Sequence, residues 1–258
     1  MILFFNCVNI NCWQRVLKIE GEKVMDKKTI GIIGGMGPMA TADLFTRIIN
    51  LTDAKKDSEH IHIIIDNNTK IPDRTSAILN GTESPLPYLI ESANKLKDAG
   101  ADFLIIPCIT SHGFYDELIK NIDIPVLNIV EETAKYLKSI SVRKSVLLAT
   151  DGTRSTGVFG KIFDKYEIEL LYPCETAQRS LMDVIYKGVK AGELNFDTST
   201  VNNELIKLCA EGAQTVILGC TELPLAAQLY SLHGNLVDPT QILACSAIKF
   251  AGYNVKNV

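Results

Sequence analysis

The stretch GADFLIIPC at residues 100–108 has a counterpart, GAQTVILGC, at residues 212–220. In both copies a Gly-Ala pair precedes an apolar run, and a cysteine follows the glycine by eight residues. A threonine comes soon after, Thr110 or Thr221, and then a segment that can begin a helix. A short apolar run between a glycine turn and a helix start is typical of a buried strand in a parallel sheet. The repetition predicts two related units, each with a cysteine at the end of a buried strand.

Short apolar runs alternate with longer amphipathic segments from Thr29 onward. This pattern predicts an α/β fold with two pseudo-symmetric lobes, each a mainly parallel sheet flanked by helices, and a cleft between the lobes. The predicted strands are residues 29–34, 61–66, 102–107, 125–128, 145–149, 167–171, 214–219 and 235–238. The predicted helices start at Pro38 and cover residues 86–98, 131–139, 175–190, 199–210 and 239–251.

A second repeat indicates how the lobes divide. The strand, loop and helix start at residues 30–45 are echoed at residues 146–159, and residues 235–253 resemble residues 125–136. We therefore expect the C-terminus to cross back onto the first lobe. The predicted domains are residues 25–130 plus 236–258 for the first lobe, residues 131–235 for the second, and an N-terminal extension at residues 1–24.

Composition limits the classes of partner. The formal net charge is −4 and 47% of the residues are hydrophobic, with no basic stripe for nucleic acid. No apolar run approaches the roughly 18 residues that a membrane span needs. The seven cysteines form no C-x-x-C pair and have no zinc-ligand spacing with histidine. The sequence therefore predicts a small-molecule ligand, no nucleic-acid or membrane partner, and a reducing cytoplasm.

Two cysteines, Cys108 and Cys220, are candidates for catalysis. Each is predicted to lie just before a helix N-terminus, where the helix dipole and unpaired N–H groups favour an anion and lower a thiol's pKa from about 8.5. Two such thiols facing each other across a cleft can act on opposite faces of one small molecule. The alternative interpretation is that both are small buried apolar side chains. We take Cys174, Cys209 and Cys245 as structural.

Three further motifs have open interpretations. The loop GGMGP at residues 34–38 formally fits the dinucleotide fingerprint, but no acid ends a second apolar strand about twenty residues later. Arg74, predicted at the carboxyl edge of the sheet, can clamp a carboxylate or can pair with Asp73 at the surface. His112, four residues after Cys108, can form a Cys–His pair, or it can cap or pack at a helix start.

Four segments together resemble the aspartate/glutamate racemase family: IGIIGGMGP at residues 30–38, IPDRT at 71–75, PCITSH at 107–112 and LGCTELP at 218–224. The resemblance implies a cofactor-independent racemase of an acidic amino acid, aspartate favoured over glutamate, that functions as a homodimer with its active site between the lobes. In that family one cysteine, as the thiolate, removes the α-proton, while the other, as the thiol, protonates the opposite face. Cys108 and Cys220 match these positions.

The resemblance also implies which residues bind the substrate. Thr110 and Thr221 match hydroxyls near the carboxylates, and Arg74 matches an arginine that holds a carboxylate. Lys190, four residues after Tyr186, matches a lysine of the aspartate-specific branch. The full set of predicted substrate-binding residues is Met36, Gly37, Arg74, Thr110, Lys190, Thr221 and Glu222. No metal site and no cofactor are expected.

One position departs from the family pattern. Ile109 stands where the family usually has asparagine, so a side-chain donor and acceptor near the substrate is missing. Because of this departure, the sequence does not decide which amino acid is the substrate. It also motivates a second hypothesis, that the chain is a catalytically weak amino-acid-binding protein. Within the wider superfamily, a hydantoin racemase, a maleate isomerase and an arylmalonate decarboxylase are further alternatives.

Overall fold

The computed structural model describes residues 26–256, so the extension predicted at residues 1–24 lies outside the described residues. Strands and helices alternate along the described chain, and this confirms the predicted α/β class. The strands are β1 (Ile30–Gly34), β2 (Ile63–Asn67), β3 (Phe103–Ile105), β4 (Val126–Leu127), β5 (Lys144–Ala149), β6 (Glu169–Leu171), β7 (Thr215–Gly219) and β8 (Leu236–Val237).

The helices connect these strands and cover the sheets. The α-helices are α1 (Pro38–Leu51), α2 (Arg74–Asn80), α3 (Leu86–Asp98), α4 (Tyr115–Leu118), α5 (Ile129–Ser139), α6 (Asp151–Thr156), α7 (Val158–Lys165), α8 (Glu175–Asp183), α9 (Ser199–Ala210), α10 (Leu223–Tyr230) and α11 (Pro239–Phe250). Short 3₁₀ turns occupy Asp57–Glu59 and Thr110–Phe114, and a π-helical turn, Val184–Val189, follows α8. No helix between residues 26 and 256 is long and apolar enough to cross a membrane.

The strands form two four-stranded sheets with identical topology. The strand order is β2-β1-β3-β4 in one sheet and β6-β5-β7-β8 in the other, and every pairing is parallel. Strands β3 and β7, which precede the two cysteines, therefore occupy equivalent positions. This equivalence confirms the duplicated unit that the sequence repeat predicts.

One continuous core lies between the two sheets. In β1, Ile30 and Ile32 point into this central core while Ile33 points to a separate outer core, as the two-residue period of a strand requires. In β5, Leu147 likewise faces the central core and Leu148 faces an outer core of the second sheet. Helices α1, α5, α7 and α11 fill the space between the sheets.

The C-terminal segment is shared between the sheets. We predicted that residues from 236 onward belong to the first lobe, but β8 pairs with β7 in the second sheet. The helix that follows, α11, packs against α1 and α5, so it returns to the first half of the chain. The assignment of residues 236 and 237 to the first lobe is therefore wrong, because Val237 pairs in register with Ile217 of the second sheet. The division of the chain into lobes otherwise stays a prediction.

Two glycines bring the backbone close to its neighbours near the carboxyl ends of the strands. Gly35 follows β1 with a φ of +90°, and a Cβ there would overlap the backbone of Asn68. Gly152 lies in α6, where a Cβ would come within 2.7 Å of the Thr75 hydroxyl on α2. The absence of side chains at these positions allows the loop after β1 to turn tightly and α2 to pack against α6.

Candidate active site

The two cysteines line one cleft at the carboxyl ends of the strands. Cys108 follows β3 and Cys220 follows β7, and both side chains are buried. The cleft is narrow, with a cavity volume of about 30 Å³, and it is partly open to solvent. Its lining residues are Met36, Asp73, Arg74, Thr75, Cys108, Ile109, Thr110, Thr150, Tyr186, Lys190, Cys220, Thr221 and Glu222.

Nearly all of the predicted site residues lie in this lining. Gly37 is the exception: it precedes α1, and its carbonyl accepts a hydrogen bond from the backbone N–H of Thr41 at 3.2 Å. Five lining residues lie outside the predicted set: Asp73, Thr75, Ile109, Thr150 and Tyr186. Thr150 lies in the segment that repeats the loop after β1, so the repeat itself is the signal that could have identified it.

The ring of His112 contacts the backbone on either side of the turn after β3. The Nδ1–H group donates to the Cys108 carbonyl at 3.1 Å, and Nε2 accepts from the Ile129 N–H at 3.4 Å. Burial lowers the pKa of His112 to about 4, so the ring is neutral near pH 7. The hydroxyl of Ser111 donates to the same carbonyl at 2.6 Å. These bonds assign His112 to holding the turn after β3 and give no support to a Cys–His pair.

Cys220 has a carboxylate as its partner. Its Sγ donates to Oε2 of Glu222 at 2.9 Å, and the hydroxyl of Thr221 donates to the same oxygen at 3.1 Å. Burial, and then the charge of Glu222, raise the pKa of the Cys220 thiol well above its ordinary value. We expected the helix start to lower this pKa. The expectation is wrong for Cys220, because burial and the adjacent carboxylate raise its pKa.

Arg74 turns away from solvent and contacts carbonyl groups. Its guanidinium donates to the carbonyl oxygen of Pro72 at 3.1 Å and to that of Met36 at 3.4 Å. Its Nε is buried and has no hydrogen-bond partner among the described residues. The Asp73 carboxylate instead caps α2 by accepting from the Ser76 N–H at 2.7 Å. Arg74 therefore brings a positive charge to the wall of the cleft, and the surface pair with Asp73 is not formed.

Lys190 supplies a second positive charge. Its Nζ lies 3.7 Å from Oε1 of Glu222 and 4.4 Å from the centre of the Tyr186 ring. Although burial opposes it, the negative charges around Lys190, that of Glu222 first, raise its pKa above the ordinary value. Lys190 is therefore an ammonium ion across the physiological pH range.

Hydroxyl groups connect the two halves of the cleft. The Thr110 hydroxyl lies 2.9 Å from that of Thr153 and 3.5 Å from that of Thr150. Thr150 also caps α6, since its side chain accepts from the Thr153 N–H at 3.2 Å. These side chains give the cleft several neutral donors and acceptors beside its charged groups.

Ile109 lies at the boundary between the cleft and the central core. It lines the cleft, but it is 3% exposed and belongs to the central core between the sheets. Its side chain therefore contributes to packing as well as to the wall of the site. Within residues 26–256, no group of three or more His, Cys, Asp or Glu side chains could hold a metal ion.

Comparison with known proteins identifies the family. Residues 33–247 match the family described as Asp/Glu/Hydantoin racemase. The chain belongs to this racemase family. The structure is similar to that of an aspartate racemase from Picrophilus torridus, with a TM-score of 0.74 and 29% identity, covering 89% of this chain and 96% of the other.

Two more relatives support the assignment to the racemase family. An aspartate racemase homologue from Pyrococcus horikoshii OT3 has a TM-score of 0.71 and 26% identity, covering 87% of this chain and 99% of the other. The broad specificity amino-acid racemase RacX from Bacillus subtilis is 26% identical over 85% of this chain and 96% of its own length.

Proposed function

We propose that this racemase family member interconverts the L- and D-enantiomers of an acidic amino acid, with Cys108 and Cys220 as the two acid–base groups and without a cofactor. The observation that carries the proposal is that both thiols line one cleft from equivalent strands of two related sheets. A pseudo-twofold relation between β3 and β7 suits the exchange of a proton on opposite faces of one carbon. The similarity to amino-acid racemases supports the same reaction type.

Removal of an α-proton next to a carboxylate is difficult because the product carries additional negative charge. Oriented donors and positive charges must therefore stabilise an enolate-like state. The hydroxyls of Thr110 and Thr221 and the N-terminus of α10 are the donors that lie next to the two cysteines. In the proposed reaction the thiolate accepts the α-proton on one face while the other thiol gives its proton to the opposite face.

The charges in the cleft support a substrate with a second carboxylate. Arg74 lines the cleft, and its guanidinium carries a positive charge that can pair with a ligand carboxylate. Lys190 provides a second cation in the same cleft, beside Glu222. We propose that the distal carboxylate of aspartate, or of glutamate, binds Arg74, with Lys190 contributing its charge. The relative from P. torridus is named an aspartate racemase, which supports this substrate class.

Exchange of the α-proton in D₂O tests the proposal. The purified full chain is incubated separately with the L- and D-forms of aspartate, glutamate, alanine and lysine, and deuterium at Cα is followed by NMR together with optical rotation. Racemisation of the acidic pair with deuterium incorporation is the expected result. An amino-acid-binding protein, the alternative that Ile109 motivates, binds a ligand without incorporating deuterium. Exchange confined to lysine or alanine would contradict the proposed acidic substrate but would still support a racemase activity.

A further inference from the structure

The two cysteines have different neighbours at equivalent positions. Two residues after Cys220, the Glu222 carboxylate accepts the thiol's hydrogen bond at 2.9 Å. Two residues after Cys108 stands Thr110, whose hydroxyl lies 2.9 Å from that of Thr153. A carboxylate thus accompanies one thiol, and a neutral hydroxyl accompanies the other. The duplicated fold is therefore chemically asymmetric where the proton is handled.

The Glu222 carboxylate distinguishes between the two forms of Cys220. The thiol form donates a hydrogen bond to an anion, and charge-assisted bonds of this kind are stronger than neutral ones. The thiolate form instead places two negative charges side by side at a buried position, where their repulsion is poorly screened. The Glu222 side chain is only 20% exposed. The contact therefore favours the thiol.

We infer that Glu222 is a positioning residue that holds Cys220 as the thiol in the resting enzyme, which makes Cys220 the first proton donor and Cys108 the first base. This inference rests on the proposed function, because a two-cysteine racemase needs one thiol and one thiolate. The resemblance implies that Glu222 contacts the substrate. The inference instead makes Glu222 the hydrogen-bond partner of Cys220.

The proton balance of one turnover is as follows. The Cys108 thiolate forms an S–H bond as the Cα–H bond breaks, and the electron pair of that bond stays on the substrate. The Cys220 S–H bond then breaks as a new Cα–H bond forms on the opposite face. The enzyme returns to its resting form when Cys108 releases a proton to water and the Cys220 thiolate takes one from water.

The positive charge of Lys190 can stabilise Cys220 after it has given up its proton and become a thiolate. Its ammonium lies 3.7 Å from Oε1 of Glu222, and its charge acts to lower the pKa of Cys220, against the larger effects of burial and Glu222. It therefore limits the repulsion between the new thiolate and the carboxylate. The charged and titratable groups that share the cleft with Cys220 and Glu222 are Asp73, Arg74, Cys108, Tyr186 and Lys190.

Alkylation of the thiols tests the inference without any substrate. The full chain is treated with iodoacetamide from pH 6 to 10, and the peptides with Cys108 and Cys220 are quantified separately by mass spectrometry. In the wild-type chain Cys108 should react at lower pH than Cys220. Glu222→Gln should speed the alkylation of Cys220 at pH 8 by about tenfold, the factor that one pKa unit gives, while Cys108 keeps its rate.

Two matched variants complete this experiment. Glu175→Gln removes a carboxylate from a side chain that is 94% exposed and does not line the cleft, so neither cysteine should change. Lys190→Gln should slow the alkylation of Cys220, the opposite direction, and it keeps the inference testable if Glu222→Gln does not fold. Equal acceleration of both cysteines by Glu222→Gln would indicate an opened cleft and overturn the inference, as would no change at Cys220.

Proton exchange in single-cysteine variants separates this inference from the proposed function. In Cys108→Ala, only Cys220 can exchange the α-proton of one enantiomer, and Glu222→Gln should increase that rate at pH 8. In Cys220→Ala, the same substitution should give no such increase in the exchange by Cys108. If the wild-type chain itself exchanges no amino acid, the proposed racemase is contradicted, while the alkylation profiles still decide the role of Glu222.

Discussion

Arg47 in α1 donates a hydrogen bond of 2.6 Å to Asp238, the residue that caps α11. The pair joins a helix of the first half of the chain to the end of β8 in the second sheet. Both side chains are nearly buried, with exposed fractions of 12% and 9%. Gln241 accepts a second hydrogen bond from the same guanidinium at 3.0 Å. The pair therefore ties the two halves of the chain together through a nearly buried contact.

We expect Arg47→Met to lower the free energy of unfolding by about 3 kcal/mol, because it leaves the carboxylate of Asp238 buried without its cation. Urea unfolding at pH 7 measures the loss. Lys97→Met is the matched control, since Lys97 pairs with Asp123 at the surface and such pairs contribute under about 1 kcal/mol. Similar small losses in both variants would mean that water solvates Asp238 once Arg47 is gone.

Replacing either Cys108 or Cys220 by alanine should abolish racemisation, because each turnover needs one acid and one base. Chiral chromatography of aspartate measures the activity, and the melting temperature reports whether the fold is retained. Cys174→Ala should keep full activity, since this cysteine is exposed and outside the cleft. Near wild-type racemisation by either single variant at the cleft would exclude the two-base mechanism.

Arg74→Ala should raise the KM for an acidic amino acid by roughly ten- to hundredfold, since a charge-assisted hydrogen bond contributes about 1.5–3 kcal/mol. A neutral substrate of similar size should be affected much less. Steady-state kinetics with both substrates measure the difference. Arg179→Ala, at a side chain that is 72% exposed, serves as the control. Equal losses for both substrates would assign Arg74 to structure only.

His112 should make stability depend on pH in a defined window. Its pKa is about 4 in the folded chain and about 6.5 when unfolded, so the folded state favours the neutral ring. The stabilisation is complete above pH 6.5 and is lost as the pH falls toward 4, by about 2 kcal/mol between pH 7 and pH 5. Urea unfolding of His112→Gln should lack this part of the loss. Parallel pH curves for the variant and the wild type would show that the histidine is not the responsible group.

Ile109→Asn should affect stability as well as kinetics. The side chain is 3% exposed and packs in the central core, so an amide there loses apolar contacts and lacks partners on that side. We expect the free energy of unfolding to fall by about 2–4 kcal/mol. Ile109→Val, which keeps the apolar surface, should cost about 1 kcal/mol. Unchanged stability of the asparagine variant would mean that its side chain rotates into the cleft.

The sequence was sufficient to predict the strands and their order of appearance. The apolar run of β7, for example, follows a turn at Gly212, and all of its residues are buried. The helices α2 and α6 were not assigned because each is short and rich in small or polar residues. Side-chain caps hold their first turns, from Asp73 and from Thr150, and such local bonds give little signal in the hydrophobic pattern.

The site was predictable in its members but only partly in its contacts. The repeat and the resemblance placed both cysteines, Arg74 and Lys190 in one predicted site, and all of them line the cleft. The high pKa of Cys220 was not predictable, because it depends on burial and on the direction in which Glu222 points. The packing of Ile109 into the central core likewise depends on which face of the turn the side chain occupies.

Helices α5 and α11 each follow the last strand of one sheet and pack in the space between both sheets. Half of this chain expressed by itself would therefore expose one wall of the central core to water. Such a half could cover that wall by pairing with an identical copy, and the two cysteines of the pair would then have identical neighbours. When two copies are joined in one gene, each copy can acquire its own substitutions. The carboxylate beside one thiol and the hydroxyl beside the other are differences that a pair of identical subunits could not encode.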